Sequence, residues 1–449
     1  MADEVLRIGA GAGFADDRIG PAAALAAAGA VDWLAFECLA ERTVARENLA
    51  RQKDPELGYT PRLLDRMAAV LPDCLRHGIR IVTNMGAANP AAAARAVRKL
   101  AREIGEADVP VAVLQGDDVA DLVRSRPDLE LLESGAPLES ILPRMASANA
   151  YLGADAICQA LATGAAITIT RRVADPSLFL APAIHHFGWA HDDWPRLAAG
   201  TAMGHLLECS AQLTGGCFAD PGIKDVPGLA NLGHPIAEIG AGGGLVVTKL
   251  PGTGGRVDVA TCTEQLLYEV HDPARYVTPD CVLDVTEVEL GPDGPDRVRL
   301  SGARAAPRTP FYKVTVGYFD GWIGEGQVSY AGINAVARAR LAAEVVQERL
   351  RLQGFTYPEM RVDLIGMSSL HGMAPDRPEP YEVRLRIAAR TDDRKAAEAV
   401  GFEVRAMHVN GPAGGGGGSD PAVREVLAVQ SLLLPRKLVR PEVFVEGSA

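Results

Sequence analysis

A chain of 449 residues exceeds what one hydrophobic core usually serves, so two or three domains are expected. Its 48% hydrophobic content excludes wholesale disorder, and its formal charge of -12 repels polyphosphate backbones and argues against nucleic-acid binding. There is no N-terminal apolar leader and no unbroken apolar run of about 18 residues, so a cytoplasmic protein that avoids membranes is expected.

From residue 5 the chain alternates short strand-like runs with longer Ala-rich helical ones. Strands are predicted at 5–8, 31–36, 79–83 and 109–114, with helices at 21–29, 60–77 and 90–106. Strands separated by helices of this length pair in parallel through right-handed crossovers. The fold class read from this pattern is α/β, with a parallel sheet flanked by helices in the N-terminal half.

Each predicted strand runs into Gly, Asn or acidic residues: Glu37, Asn84 with Asn89, and Asp117 with Asp118. In a parallel sheet these ends share one edge, which is where open α/β sheets bind ligands. Any one of these residues is more often a helix cap. The set together reads as a ligand crevice. Gly9-Ala-Gly11-Ala-Gly13 invites a dinucleotide reading but misses the fingerprint, because Phe14 replaces the third glycine. Asp16 and Asp17 would also repel a pyrophosphate.

The stretch 147–220 carries the strongest signal. A helix-like run at 147–161 contains Asn149, and a strand at 165–170 follows. That strand runs directly into Arg171-Arg172-Val-Ala-Asp175-Pro-Ser177, two cations and a carboxylate where an ordinary core strand would end in a neutral turn. Thr214-Gly215-Gly216 forms a second tight turn ahead of Asp220. His185, His191 and Asp192 lie close in sequence but lack the H-E-x-x-H or H-x-H spacing, so no metal site is expected there. The seven cysteines never fall in a C-x-x-C pair, which fits reduced thiols rather than zinc or disulfides. A helix at 197–213 places His205, Glu208 and Gln212 on one face, which suits either a pocket lining or a solvated stripe.

Beyond residue 230 Gly and Pro become dense, and strands are predicted at 245–250, 281–290, 297–300 and 311–318, with hairpin turns at 292–294 and 320–321. Gly254 and Gly255 sit in a loop able to offer N–H groups to an anion. A long helix at 333–352 precedes strands at 361–366 and 381–389 and a helix at 392–400. The glycine run containing Gly414, Gly415 and Gly416 then leads through Asp420-Pro421 to a predicted helix at 422–433. Glycine-dense backbone at a helix start suits a phosphate or carboxylate, and a mobile linker is the alternative. The domain division expected from these textures is 1–230 (α/β, with the crevice), 231–355 (strand-rich) and 356–449 (α+β, with the glycine loop).

Several motifs together resemble the acyclic terpene utilisation (AtuA-like) family. They include Gly116-Asp117-Asp118, Asn149-Ala-Tyr151-Leu-Gly153, Arg172-Val-Ala-Asp175, Gly204-His205-Leu-Leu-Glu208-Cys209, Thr214-Gly215-Gly216, Pro251-Gly-Thr-Gly254-Gly255 and Asn410-Gly-Pro-Ala-Gly414-Gly415. The likeness extends over nearly the whole chain. Two positions depart from it: Gln115 replaces an acid, and Arg171 replaces a glycine and adds a cation beside the crevice. The resemblance implies a cytoplasmic catabolic protein connected with the breakdown of branched terpenoid acids, and it carries over no catalytic residue.

The function expected is a cofactor-independent hydratase or dehydratase acting on a small carboxylate or its coenzyme A thioester. Moving water beside a carbonyl needs a base, an acid and fixed donors for the enolate. Asp175 and Glu37 are the first candidates for base and acid, and Asp117 and Asp118 stand in the same catalytic group. Arg171 or Arg172 would clamp a carboxylate, with Asn84, Asn149, Thr214, Gly215, Gly216 and the two glycine loops completing the binding set. Assembly as a homo-oligomer is expected. Two alternatives stay open: a half-site subunit completed by a small partner protein, and a nucleotide-dependent enzyme, which a thermal shift with nucleotides would reveal.

Overall fold

Parallel strands buried on both faces organise the larger of two units, Met1–Gly317 with Val429–Ala449; the second unit is Tyr318–Ala428. The computed structural model describes residues 4–106, 108–372 and 378–447. The first unit opens with β1 (Val5–Ala12), α1 (Gly20–Ala27), β2 (Trp33–Phe36), α2 (Glu41–Lys53), α3 (Leu63–His77), β3 (Arg80–Thr83), α4 (Pro90–Glu103), β4 (Val111–Gln115) and α5 (Ala120–Arg124). It continues through β5 (Met145–Ala150), α6 (Ala154–Leu161), β6 (Ile167–Thr170), α7 (Ser177–Phe187), α8 (Trp194–Leu207), β7 (Pro235–Gly240), β8 (Leu245–Lys249) and α9 (Val259–Leu267). Short strands follow: β9 (Tyr276–Val277), β10 (Cys281–Asp284), β11 (Glu289–Pro292), β12 (Val298–Ser301) and β13 (Arg304–Pro307). The chain then passes through β14 (Phe311–Ala331), α10 (Ala335–Leu352), β15 (Glu359–Ile365), β16 (Glu382–Thr391), α11 (Arg394–Asn410) and β17 (Ala422–Pro435), and ends on β18 (Glu442–Glu446).

The fold is mixed α/β. Ten strands form one sheet in the order β11-β12-β8-β7-β1-β2-β3-β6-β4-β18. Its centre, β1-β2-β3-β6-β4, is parallel throughout, as the helix-separated strands predict. Antiparallel β7 and β18 flank that centre, so the sheet is mixed rather than purely parallel. β2 and β6 are buried at every position, which requires cover on both faces. Helices α1, α3 and α4 pack in one row and α6, α7 and α8 in another. The strands β7, β8, β11 and β12 extend the same sheet instead of starting one of their own. A separate three-stranded sheet joins β13, β10 and β9.

In the second unit β15, β16 and β14 are antiparallel neighbours, and α10 and α11 pack on β16. Three local expectations are corrected. Residues 147–150 belong to strand β5, and α6 begins only at Ala154, whose N–H is received by Asp280 Oδ1 at 2.7 Å. A Cβ at Gly153 would sit 2.5 Å from that oxygen, so the glycine permits this approach. Asp320-Gly321 does not turn a hairpin but lies inside β14, with Gly321 at φ +77°. The predicted helix at 422–433 is strand β17: the edge of β14 recruits it, and Val423, Val426 and Val429 suit a pleated strand. No helix among the described residues is long and apolar enough to cross a membrane.

Candidate functional site

The C-terminal ends of the five parallel strands share one edge, and the residues following β6 emerge there between β3 and β4. There the two adjacent arginines diverge. Arg172 is 2% exposed; its Nη1 lies 3.0 Å from Asp175 Oδ1 and 3.9 Å from Glu37 Oε1, and it donates to the Leu39 carbonyl. Its guanidinium sits over the Tyr151 ring, 4.0 Å from the centroid. A cavity of about 250 Å³ opens here, lined by Arg172, Asp175, Glu41, Tyr151, Tyr276 and Lys313 among others.

Glu37 and Asn84 stand behind this cavity. Glu37 Oε1 accepts from Leu39 N at 2.8 Å and from Asn84 Nδ2 at 2.9 Å, while Asn84 Oδ1 accepts from Cys38 N at 2.8 Å. The two side chains thereby fix the turn after β2 whose Leu39 carbonyl receives Arg172. On the cavity wall Glu41 accepts from the Tyr151 hydroxyl and lies 3.4 Å from Lys313 Nζ.

Two cations, Arg172 and Lys313, therefore face three carboxylates, and burial together with the charges within the group sets how each one titrates. Burial pushes the Asp175 carboxyl up to about 7, with Arg172 opposing and the charges of Glu208 and Glu41 adding to the rise. Burial, and then the charge of Asp175, holds Glu37 well above the usual carboxylate range. Burial acts the same way on Glu41, but Arg172, the Tyr151 hydroxyl and Lys313 outweigh it and bring Glu41 down to about 2. The phenols of Tyr151 and Tyr276 are raised by burial and stay protonated near neutrality.

Arg171 turns the other way. Its Nε lies 2.8 Å from Asp117 Oδ1 and its Nη2 lies 3.2 Å from Asp118 Oδ2. Asp117 is fully buried, and its Oδ2 accepts from Asn149 Nδ2 at 2.8 Å and from the Arg172 backbone N–H at 3.3 Å. Burial raises its carboxyl above the ordinary value. Arg171 and Asp118 line a second cavity of about 730 Å³. The sequence candidates thus fall into two groups joined through the Asp117 carboxylate: Glu37, Asn84, Arg172 and Asp175, and Asp117, Asp118, Asn149 and Arg171.

The remaining candidates lie elsewhere. Thr214 Oγ1 donates to the Gly233 carbonyl at 2.7 Å, and Thr214 O accepts from Arg256 N at 2.9 Å. The N–H groups of Gly215, Gly216, Gly254 and Gly255 are spent on the carbonyls of Gln212, Ala211, Asn231 and Pro227. These glycines knit two loops together, and none lines either of the two cavities. Gly414, Gly415 and Gly416 belong to the second unit, where Gly416 and Ser329 exchange backbone hydrogen bonds; without a helix after them, the dipole invoked for anion binding is missing. His185 faces Arg80, while His191 and Asp192 are exposed. In the glycine run, Gly11 makes room for the Phe36 ring and Gly13 for the Cys209 backbone. The buried Arg66 donates to the carbonyls of Phe14, Ala15 and Asp17, which follow that run.

Several cavity residues escaped the sequence reading. Glu41 opens a helix that was not predicted, and Lys313 and Tyr276 come from strands without motif character. His205 and Glu208 were visible as a polar stripe, and they prove buried rather than solvated. His205 Nδ1 lies 2.9 Å from Glu208 Oε1 and Nε2 lies 3.1 Å from the Leu266 carbonyl, so both ring nitrogens need hydrogens. Burial opposes that charge, but Glu208 overrides it and raises the imidazole above its ordinary value. The His205 ring packs 5.1 Å from Tyr276 on the cavity wall, and Glu208 Oε2 is buried without a hydrogen-bond partner.

No curated protein and no solved structure matches the chain. A family model does: residues 6–445 match the one described as acyclic terpene utilisation family protein AtuA. With nearly its whole length covered by that match, the chain belongs to the acyclic terpene utilisation family.

Proposed function

We propose that this protein is a cofactor-independent hydratase or dehydratase acting on a small branched carboxylate, or on its coenzyme A thioester, in acyclic terpene breakdown. The observation that carries the reading is the placement of Asp175: its carboxyl, pushed up to about 7 by burial, stands on the wall of a cavity that also presents Arg172 and Lys313. A group titrating near 7 serves as base and acid with little bias at neutral pH. In the dehydration direction the Asp175 carboxylate takes the proton next to the carbonyl, and the freed electron pair becomes the C=C bond. The C–O bond breaks, and the departing hydroxide takes a proton from the Tyr276 phenol and leaves as water. Asp175 then returns its proton to the phenolate, and hydration is the reverse.

Lys313, half-exposed, meets the substrate carboxylate, and Arg172 keeps the developing enolate charge close to a cation. Glu37 acts from behind as the group that competes with Asp175 for the charge of Arg172. Asp117, Asp118 and Asn149 hold Arg171 and the backbone of Arg172 in place. A space of about 250 Å³ suits a short branched acid, so the pantetheine of a thioester would leave through the mouth. The rim offers Val277, Phe311 and Leu433, all exposed, to a branched hydrocarbon.

That apolar rim also favours a second reading, a half-site subunit whose small partner protein covers it. A size measurement that finds only an obligatory hetero-complex would decide for the partner. The primary test assays the purified chain and Asp175→Asn on branched hydroxy and unsaturated acids and their thioesters. Interconversion of at least one pair is expected, with a loss on the order of 10²–10⁴ in the variant. Absence of turnover across the panel would remove the lyase reading.

A further inference from the structure

We propose that the larger cavity, beside Arg171, is a binding site for a phosphorylated small molecule. At about 730 Å³ it has room for a ligand of nucleotide size, and it opens at the C-terminal ends of β4 and β6, where α/β sheets bind ligands. Four arginines line it, Arg51, Arg124, Arg171 and Arg440, together with the carboxylates of Asp118, Asp121 and Glu442.

The charge accounting within the wall is uneven. Every carboxylate already has a partner there: Asp118 holds Arg171 at 3.2 Å, Asp121 holds Arg124 at 3.1 Å, and Glu442 accepts from Gln115 Nε2 at 3.2 Å. Two guanidiniums have no carboxylate. Arg51 donates only to the Ala88 carbonyl, at 3.0 Å, and Arg440 makes no side-chain hydrogen bond or ion pair among the described residues. Four arginines against three carboxylates leave the wall one positive charge in excess, with Arg51 and Arg440 the guanidiniums that no carboxylate holds, and in a protein of net charge -12 such a patch concentrates anions locally. Guanidinium forks match the oxygens of a phosphate, and Gln52 and Ser147 supply neutral donors on the same wall.

This site is separate from the cavity assigned to the lyase reaction, and its readout is binding, so either reading can fail without the other. The full chain is titrated calorimetrically at low ionic strength with ADP and, separately, with inorganic pyrophosphate. ADP is expected to bind, and Arg51→Ala and Arg440→Ala should each weaken it about tenfold or more. Arg340→Ala, an exposed arginine in the second unit, should leave the affinity unchanged. Both cavity arginines are exposed, so circular dichroism should show the variants folded. Pyrophosphate binding with the same losses also upholds the site. No binding of either probe, or affinities that both substitutions leave within about twofold, overturns it.

Discussion

Arg171 and Arg172 are neighbours in sequence and opposites in environment. Burial around Arg172, with the mutual repulsion of the carboxylates that share it, outweighs its charge and pushes Asp175 up to about 7. Arg171 is matched to Asp117 and Asp118, and the cavity in front of it keeps spare positive charge on Arg51 and Arg440 instead. One strand end therefore supplies two kinds of surface. A site short of cations stores protons and suits acid–base chemistry, whereas a site with cations to spare suits holding an anion.

The largest expected effect comes from removing the shared cation. Arg172→Leu leaves Glu37 and Asp175 facing each other without compensation, and a loss of roughly 3–5 kcal/mol is expected in urea denaturation. A variant within about 0.5 kcal/mol of the parent would end the claim that Arg172 holds the cluster together.

The pH dependence of stability sharpens the contrast further. The carboxyls of Asp175 and Glu37 are raised by folding, so between about pH 4 and 7 the folded chain binds more protons than the unfolded one. Their contribution is complete below the unfolded value near 4 and is lost as pH rises through the folded values. Glu41, lowered to about 2, works in the opposite sense: its contribution is present above the unfolded value and disappears as pH falls towards 2. Denaturation curves across this range should show a shallower decline above pH 4 for Asp175→Asn than for the parent. Identical slopes would contradict the assignment.

A smaller effect is expected from Glu208→Gln. Its charge helps to raise Asp175, so the acidic limb of the rate profile should move to lower pH by less than about one unit. An unmoved limb would uncouple His205 and Glu208 from the site.

The parallel core was readable because each strand is a short apolar run ending in Gly, Asn or acid, and those ends do share an edge. Arg172 and Asp175 were readable for the same reason: charge where a core strand should stop. Glu41, Lys313 and Tyr276 were not, because each belongs to a segment whose local pattern describes only its own helix or strand. Their meeting is a tertiary fact. The segment at 422–433 misled for a related reason: its Asp-Pro start and Ala, Leu and Glu residues satisfy helix rules, but a waiting strand edge outweighs a propensity difference of a few tenths of a kcal/mol per residue. Gly254 and Gly255 look like an anion cradle in sequence and Gly215 and Gly216 like a turn on the crevice, yet neighbouring carbonyls already take their N–H groups.

The pairing of β18 with β4 sets Glu442 opposite Gln115, and a Cβ on Gly116 would collide with the carbonyl of Arg440. The mouth of the larger cavity is consequently built from segments more than three hundred positions apart, and during synthesis the early strands must wait with an uncapped, adhesive border until the late one emerges. Without residues 442–446 the outer side of β4 has no strand partner, so the parallel centre keeps an unpaired edge there.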